Sequence, residues 1–203
     1  MSFDLLKRIA NHLIINASYL DNLGLYHGKM GIVLFFVHYA RYTGDLLYND
    51  FARKLINEIY DEIRDDIPIN FENGLCGIGW GIEYLLENGF MYGKSEEILA
   101  DVDLRVMERN LHRVTDLSLK TGLLGIIYYA SKHINSLSNK SGKLPFDSEY
   151  LSDFMCLKQY DIPNDNIILL NIANEFIVKD NAREWLLGLE NGCAGYGLKL
   201  MLK

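Results

Sequence analysis

Two kinds of helical stretch alternate along this chain. Residues 28–42, 74–88, 122–135 and 192–202 are apolar or aromatic on nearly every side, as in IVLFFVHYA from Ile32 to Ala40. A helix that is apolar all round belongs in a core. Residues 46–64 instead carry one stripe, Leu47, Phe51, Leu55, Ile59 and Ile63, set among charged residues. Residues 95–111 do the same with Ile98, Leu99, Val102, Val106 and Leu111, and residues 2–19 with Leu5, Leu6, Ile9, Leu13 and Ala17. Shorter helices are predicted near 149–158 and 165–178, the second burying Ile168, Leu169, Ile172 and Phe176. No segment sustains an alternation of period two, so no substantial sheet is expected. All-apolar helices covered by one-faced ones predict an all-α fold in two layers, as in an α/α toroid or a tightly curved solenoid.

Each all-apolar helix opens on the same words. LYHGKMGIVLFF, FENGLCGIGWGI, LKTGLLGIIYYA and LENGCAGYGLKL each place Gly-x-x-Gly ahead of an apolar run. The pairs are Gly28/Gly31, Gly74/Gly77, Gly122/Gly125 and Gly192/Gly195, and the first glycines lie 46, 48 and 70 residues apart. Spacing in the forties is what one helical hairpin occupies in a repeat array. A polar insertion at 136–147, SLSNKSGKLPFD, accounts for the longer last interval. Before each first glycine stand His27, Asn73, Thr121 and Asn191, and Asn and Thr are good N-caps. A glycine inside a helix costs about 0.8–1 kcal/mol relative to alanine, so two in the opening turns imply the close approach of a neighbouring helix or a ligand. The four segments are expected to gather at one rim of the inner layer.

The 203 residues fit one domain, 1–203, and the 49% hydrophobic and 23% charged composition is that of a globular chain. A net charge of −7 offers no basic surface for phosphate backbones, so nucleic acid is excluded as a partner. Cys76, Cys156 and Cys193 are odd in number and widely spaced, which fits neither a disulfide framework nor a zinc finger. With no signal-peptide pattern and no apolar run near the roughly 20 residues of a membrane span, a cytoplasmic, membrane-free protein is expected.

GLYHGKMGIVLFF, NGLCGIGWGIEYLL, TGLLGIIYYAS and NGCAGYGLKLML resemble the repeat motif of the lanthionine synthetase C-like (LanC-like) family, over about residues 20–203. The resemblance implies an α/α toroid whose inner helices open from the glycine motifs. It also implies the chemistry of the bacterial members, in which a cysteine thiol adds to a dehydroamino acid of a precursor peptide. There a zinc ion held by two cysteines and a histidine activates the thiol, the thiolate being the competent nucleophile. The family's ligands are a Cys two places before one first glycine and a Cys-His pair directly before another. Here Tyr26, Glu72, Lys120 and Glu190 stand two places before, and only His27 copies the histidine. Four repeats stand where a full family toroid has seven, so the resemblance points to a reduced or incomplete toroid, or one that closes by pairing.

Three groups of residues compete for a role. His27, Cys76 and Cys193 have the donor types of a tetrahedral zinc site with an open position, though a buried cysteine also serves as a small apolar filler and His27 as a plain cap. Glu72 and Glu190 share the words Glu-Asn-Gly and are the candidate catalytic carboxylates, for acid–base chemistry as in toroidal hydrolases; the alternative is placement beside helix N-termini, where the dipole welcomes negative charge. His27, Trp80 and Tyr196 are the candidate substrate contacts, alongside Tyr84, Tyr128 and Tyr129 on the inner helices. His12, His38, His112 and His133 receive no role. The reading favoured is a LanC-like protein of peptide maturation without the standard zinc cyclase site, binding a precursor peptide or assisting a modifying enzyme. The alternative is an enzyme, either a divergent thiol-activating cyclase or a carbohydrate-active toroid. Association with further copies through the last helix, 192–202, is a third possibility.

Overall fold

The structure, a computed structural model, describes residues 2–138, 144–157, 162–173, 176–179 and 181–202. Every regular element among them is helical, and the expected all-α fold class holds. The helices are α1 (Ser2–Asn16), α2 (Lys29–Thr43), α3 (Leu47–Glu62), α4 (Leu75–Glu87), α5 (Ser95–Ile98), α6 (Ala100–Met107), α7 (Leu123–Ser138), α8 (Ser148–Leu157), α9 (Asp165–Ile172) and α10 (Cys193–Met201). Part of the polar insertion at 136–147 lies outside the described residues.

The chain packs as two compact units, Met1–Asp65 with Pro163–Lys203 and Asp66–Ile162. Each is built on two glycine-opened helices. In the first unit α2 lies against α10, with α3 packed on α2 and with α1 and α9 on α10. In the second α4 lies against α7, with α6 on α4 and the short α5 against both α6 and α7. The glycine-opened helices are buried almost throughout, whereas α3 and α6 bury one face. This is the layering of an α/α repeat: an apolar helix sheltered by an amphipathic one.

Three boundaries differ from the sequence reading, each for a local reason. The stripe on α3 is not the strict four-residue series. Leu55 and Ile59 are buried, with Ala52 beside them, while Leu47 is 71% exposed. Residues four apart advance 400° around a helix of 3.6 residues per turn, so a long i+4 series drifts off the buried face. The stretch 95–111 is two helices that meet at Leu99 (φ −101°, ψ 4°) and end at Met107. The helix after 165 stops at Ile172, because Ala173 leaves the helical region (φ −73°, ψ 67°). Phe176 packs beyond its end, against Trp185 and Tyr196.

Buried charge also ties the layers together. Lys29, 1% exposed at the start of α2, reaches Glu58 at 3.2 Å and Glu62 at 2.7 Å on α3. An ammonium is retained in such a place only when it is paired, since an isolated buried charge is prohibitive.

Candidate functional site at the glycine-opened helix termini

At α2, α4 and α10 the first glycine of the pair, not the residue before it, caps the helix. Gly28, Gly74 and Gly192 hold extended backbone just ahead of α2, α4 and α10, without side-chain caps. Their absent side chains make room for the chain itself. A Cβ on Gly74 would lie 2.0 Å from the Pro68 carbonyl oxygen, one on Gly122 2.2 Å from that of Asp116, and one on Gly192 2.2 Å from that of Gly188. The preceding loop folds over the helix end and satisfies its orphan donors. Lys29 donates its N–H to the Asn22 carbonyl, Leu75 to Pro68, Leu123 to Asp116 and Cys193 to Leu186, always seven residues back, at 2.8–2.9 Å. The expected caps have other work. Asn73 donates its N–H to Asn70 Oδ1, Thr121 donates its hydroxyl to Asp116 Oδ2, and Asn191 takes a left-handed φ of 55°.

The second glycine of the first and third pairs admits the neighbouring repeat. A Cβ on Gly31 would come 2.8 Å from Leu189 Cγ, and one on Gly125 2.5 Å from Phe71 Cβ. Leu189 and Phe71 hold equivalent places, three before a first glycine, and the backbone contacts match. Leu189 and Glu190 both donate to the Tyr26 carbonyl, at 2.8 and 3.0 Å, and Phe71 and Glu72 both donate to the Lys120 carbonyl, at 3.0 and 2.9 Å. Each unit is therefore one copy of the same repeat-on-repeat joint.

That joint positions the two candidate carboxylates. In the first unit Glu190 Oε2 lies 3.2 Å from His27 Nε2, with the imidazole 40% and the carboxylate 12% exposed. In the second, Glu72 Oε1 lies 3.7 Å from Lys120 Nζ, with the carboxylate 18% exposed. Each carboxylate faces a basic side chain of the adjoining repeat, His27 or Lys120, on a part-exposed surface beside a helix N-terminus. Tyr196, half-buried, packs on Phe176. Trp80 is 1% exposed, stacked on Tyr84 and edge-on to Phe71. Cys76 and Cys193 are fully buried in the first turns of α4 and α10. Burial pushes both thiols up, Cys193 to about 12.

The profile of one protein family, Lanthionine synthetase C-like protein, matches residues 19–201. The chain belongs to that family. No curated protein and no solved structure matches it. Among the described residues no helix is long and apolar enough to cross a membrane.

The zinc chemistry of LanC-like enzymes can be tested against these donors. Tyr26, Glu72, Lys120 and Glu190 occupy the places from which a thiolate would reach the metal, and none is a cysteine. The two cysteines nearby are sealed in helical turns where burial keeps them protonated, and a metal ligand must be thiolate. The standard Cys-Cys-His set does not fit this LanC-like chain.

Sequence reasoning missed a buried charged cluster in the second unit. His133 of α7 is fully buried, with Nδ1 against the Glu83 carboxylate of α4 and Nε2 3.0 Å from Asp103 Oδ2 of α6. Tyr129 donates its hydroxyl to Asp103 Oδ1 at 2.5 Å. Burial alone would lower the His133 pKa, but the hydrogen bonds and charges of Asp103 and Glu83 outweigh it and raise it to about 9. Burial likewise opposes ionisation of Glu83, yet the hydrogen bond and charge of the His133 imidazolium, with Ser136, hold it below the usual carboxylate range. The signal was present: Glu83 is the one charge inside LCGIGWGIEYLL, and His133 lies on a helix that is apolar on nearly every side.

Proposed function

We propose that this LanC-like chain binds a precursor peptide, or assists the enzyme that modifies one, in ribosomal peptide maturation, and does not run zinc-dependent cyclisation itself. One observation carries the reading. Where a cyclase would present thiolates, the repeat joints present the acid–base side-chain pairs His27–Glu190 and Lys120–Glu72. Part-exposed pairs of an acidic and a basic side chain recognise polar groups of an extended peptide, while no activated thiolate is on hand to promote addition. Tyr196 of α10, packed on Phe176, supplies aromatic surface in this reading. Trp80, sealed by Phe71 and Tyr84, braces the joint from behind. The reading of Glu72 and Glu190 as a hydrolytic pair is less supported, because each carboxylate has a basic side chain close by, His27 or Lys120.

The test uses a synthetic peptide carrying one dehydroalanine and one cysteine, offered to the purified protein with and without zinc. Thiol addition leaves the mass unchanged, so cyclisation is read as loss of alkylation by N-ethylmaleimide. Binding seen by fluorescence anisotropy, weakened by the substitution Glu190→Gln, with the thiol fully retained, supports the proposal. Zinc-dependent thiol loss above the protein-free rate would overturn it and establish a cyclase. Absence of binding would also overturn it.

A further inference from the structure

A second site lies away from the helix termini. Between α6 and the end of α7 the second unit carries a half-open pocket of about 480 Å³, within the range of small-ligand sites. Its walls are apolar: Ala100, Leu104 and Met107 from α6, Leu137 from α7, and Pro145. Among the described residues its polar lining is acidic, with Glu96 and Glu97 from α5 and Asp103 from α6. Asp103 is only 4% exposed and rigidly held by Tyr129 and His133. The buried cluster it belongs to has two carboxylates for one imidazolium, so it retains net negative charge. Residues 66–162 carry 14 acidic and 9 basic residues, hence −5 of the chain's −7. Lys94 pairs with Glu97 at 2.7 Å, but on open surface, where such a pair is weak and readily exchanged.

We propose that this pocket takes the side chain of a lysine presented by a peptide, with the aliphatic stem against Leu104, Met107 and Leu137 and the ammonium among Glu96, Glu97 and Asp103. An apolar sleeve around an acidic lining suits a long methylene chain that ends in a cation. Lysine fits better than arginine. Both Asp103 oxygens already accept one hydrogen bond, leaving single lone pairs for a point-charge donor rather than the open edge a guanidinium fork requires. The site is separate from the repeat joints and the proposal does not rest on the reading given for them.

The test titrates the full-length protein with Nα-acetyl-lysine N-methylamide. The readout is the methyl resonance of Met107, assigned by its loss in Met107→Leu. Comparison ligands are the norleucine analogue, which lacks the charge, and n-butylamine, which lacks the backbone. Saturable shifts with the lysine derivative are expected, weakened roughly tenfold in E96Q/E97Q, as the loss of two nearby opposite charges implies. They should vanish in Leu104→Trp, where an indole fills the pocket. Leu104 is 59% exposed, so that variant should keep the parent melting temperature, which separates a blocked site from a lost fold. Equal binding of the norleucine analogue would overturn the proposal by removing charge recognition. So would n-butylamine binding more tightly than the lysine derivative, by removing the peptide as source. No saturable shift with any ligand would overturn it outright. Failure here leaves dehydropeptide binding unaffected, and the reverse.

Discussion

His133 Nε2 lies 3.0 Å from Asp103 Oδ2 where the imidazole meets no solvent, and the other ring nitrogen is taken by Glu83. One imidazolium thus joins α7 to both α6 and α4. Removing a single member of a buried ion cluster leaves a charge uncompensated, typically at a cost of 3–5 kcal/mol. His133→Leu is therefore expected to lower stability by about that much, measured by urea denaturation. Joint replacement of Glu83, Asp103 and His133 by apolar residues of similar volume should recover most of the loss. Destabilisation by the triple variant as deep as by His133→Leu would show that the charges stabilise in their own right.

The same cluster sets a pH dependence. His133 has its folded pKa raised from 6.5 to about 9, so its contribution is complete below pH 6.5 and is lost as the pH rises towards 9. Glu83 has its folded pKa lowered from 4.5, so its contribution is present above pH 4.5 and is lost as the pH falls through the folded value. The cluster therefore stabilises most between about pH 4.5 and 6.5. On the alkaline side the loss approaches about 3 kcal/mol, at 1.36 kcal/mol per pKa unit. Urea midpoints from pH 5 to 10 should fall in the parent above pH 6.5 and stay flatter in the triple apolar variant. Parallel profiles would place the alkaline transition elsewhere.

The glycines separate two kinds of constraint. At Gly74 the backbone is one that any residue adopts, but a Cβ would sit 2.0 Å from the Pro68 carbonyl oxygen. Gly74→Ala must push the loop off the helix end and break the Leu75 to Pro68 bond, and a loss of about 3 kcal/mol or more is expected. Gly89 is the reverse, with φ +68° and nothing within 4 Å. Gly89→Ala should cost only the left-handed strain, about 1–2 kcal/mol. A smaller effect at Gly74 than at Gly89 would mean that the loop relaxes without cost.

These comparisons show what the sequence could and could not say. Periodicity separated α2, α4, α7 and α10 from α3 and α6 because a buried helix must be apolar all round. The GxxG spacing showed that something approaches closely, but not what: a loop seven residues upstream is invisible to helical periodicity, so Asn73 and Thr121 read as caps that the backbone itself supplies. Glu72 and Glu190 were recognisable as equivalent because they share Glu-Asn-Gly, whereas their partners are not. His27 precedes its glycine by one place and Lys120 by two, and only the fold brings each to its carboxylate. Glu83, Asp103 and His133 lie on three helices up to 50 residues apart, a long-range pairing that no local pattern encodes. The second unit was equally hidden, since the array of repeats reads as continuous along the chain.

Lys29 offers an asymmetric test of a buried cation. It is 1% exposed, while its partners Glu58 and Glu62 are 21% and 44% exposed. Lys29→Met keeps the methylene packing and leaves two carboxylates that water can reach, so a loss of roughly 1–2 kcal/mol is expected. Glu58→Gln with Glu62→Gln instead leaves the ammonium buried without a counter-charge, and about 3–5 kcal/mol is expected. Urea midpoints of the two variants check the order, and a costlier Lys29→Met would place the site's value in attraction rather than in avoided desolvation.

The cysteines give the last prediction and bear most directly on function. Cys156 is exposed, whereas Cys76 and Cys193 are buried and their thiols are pushed up by burial. Reaction with a disulfide reagent runs through the thiolate and needs access. Native protein should therefore release one equivalent of thionitrobenzoate rapidly, lost in Cys156→Ser, and the remaining two only on denaturation. Zinc should leave those two rates unchanged, because the metal has no thiolate to hold. Fast modification of Cys76 or Cys193 in the folded protein, suppressed by zinc, would mean that the glycine-opened termini expose their sulfurs in solution, and a thiol-activating enzyme would then be the better reading of this LanC-like chain.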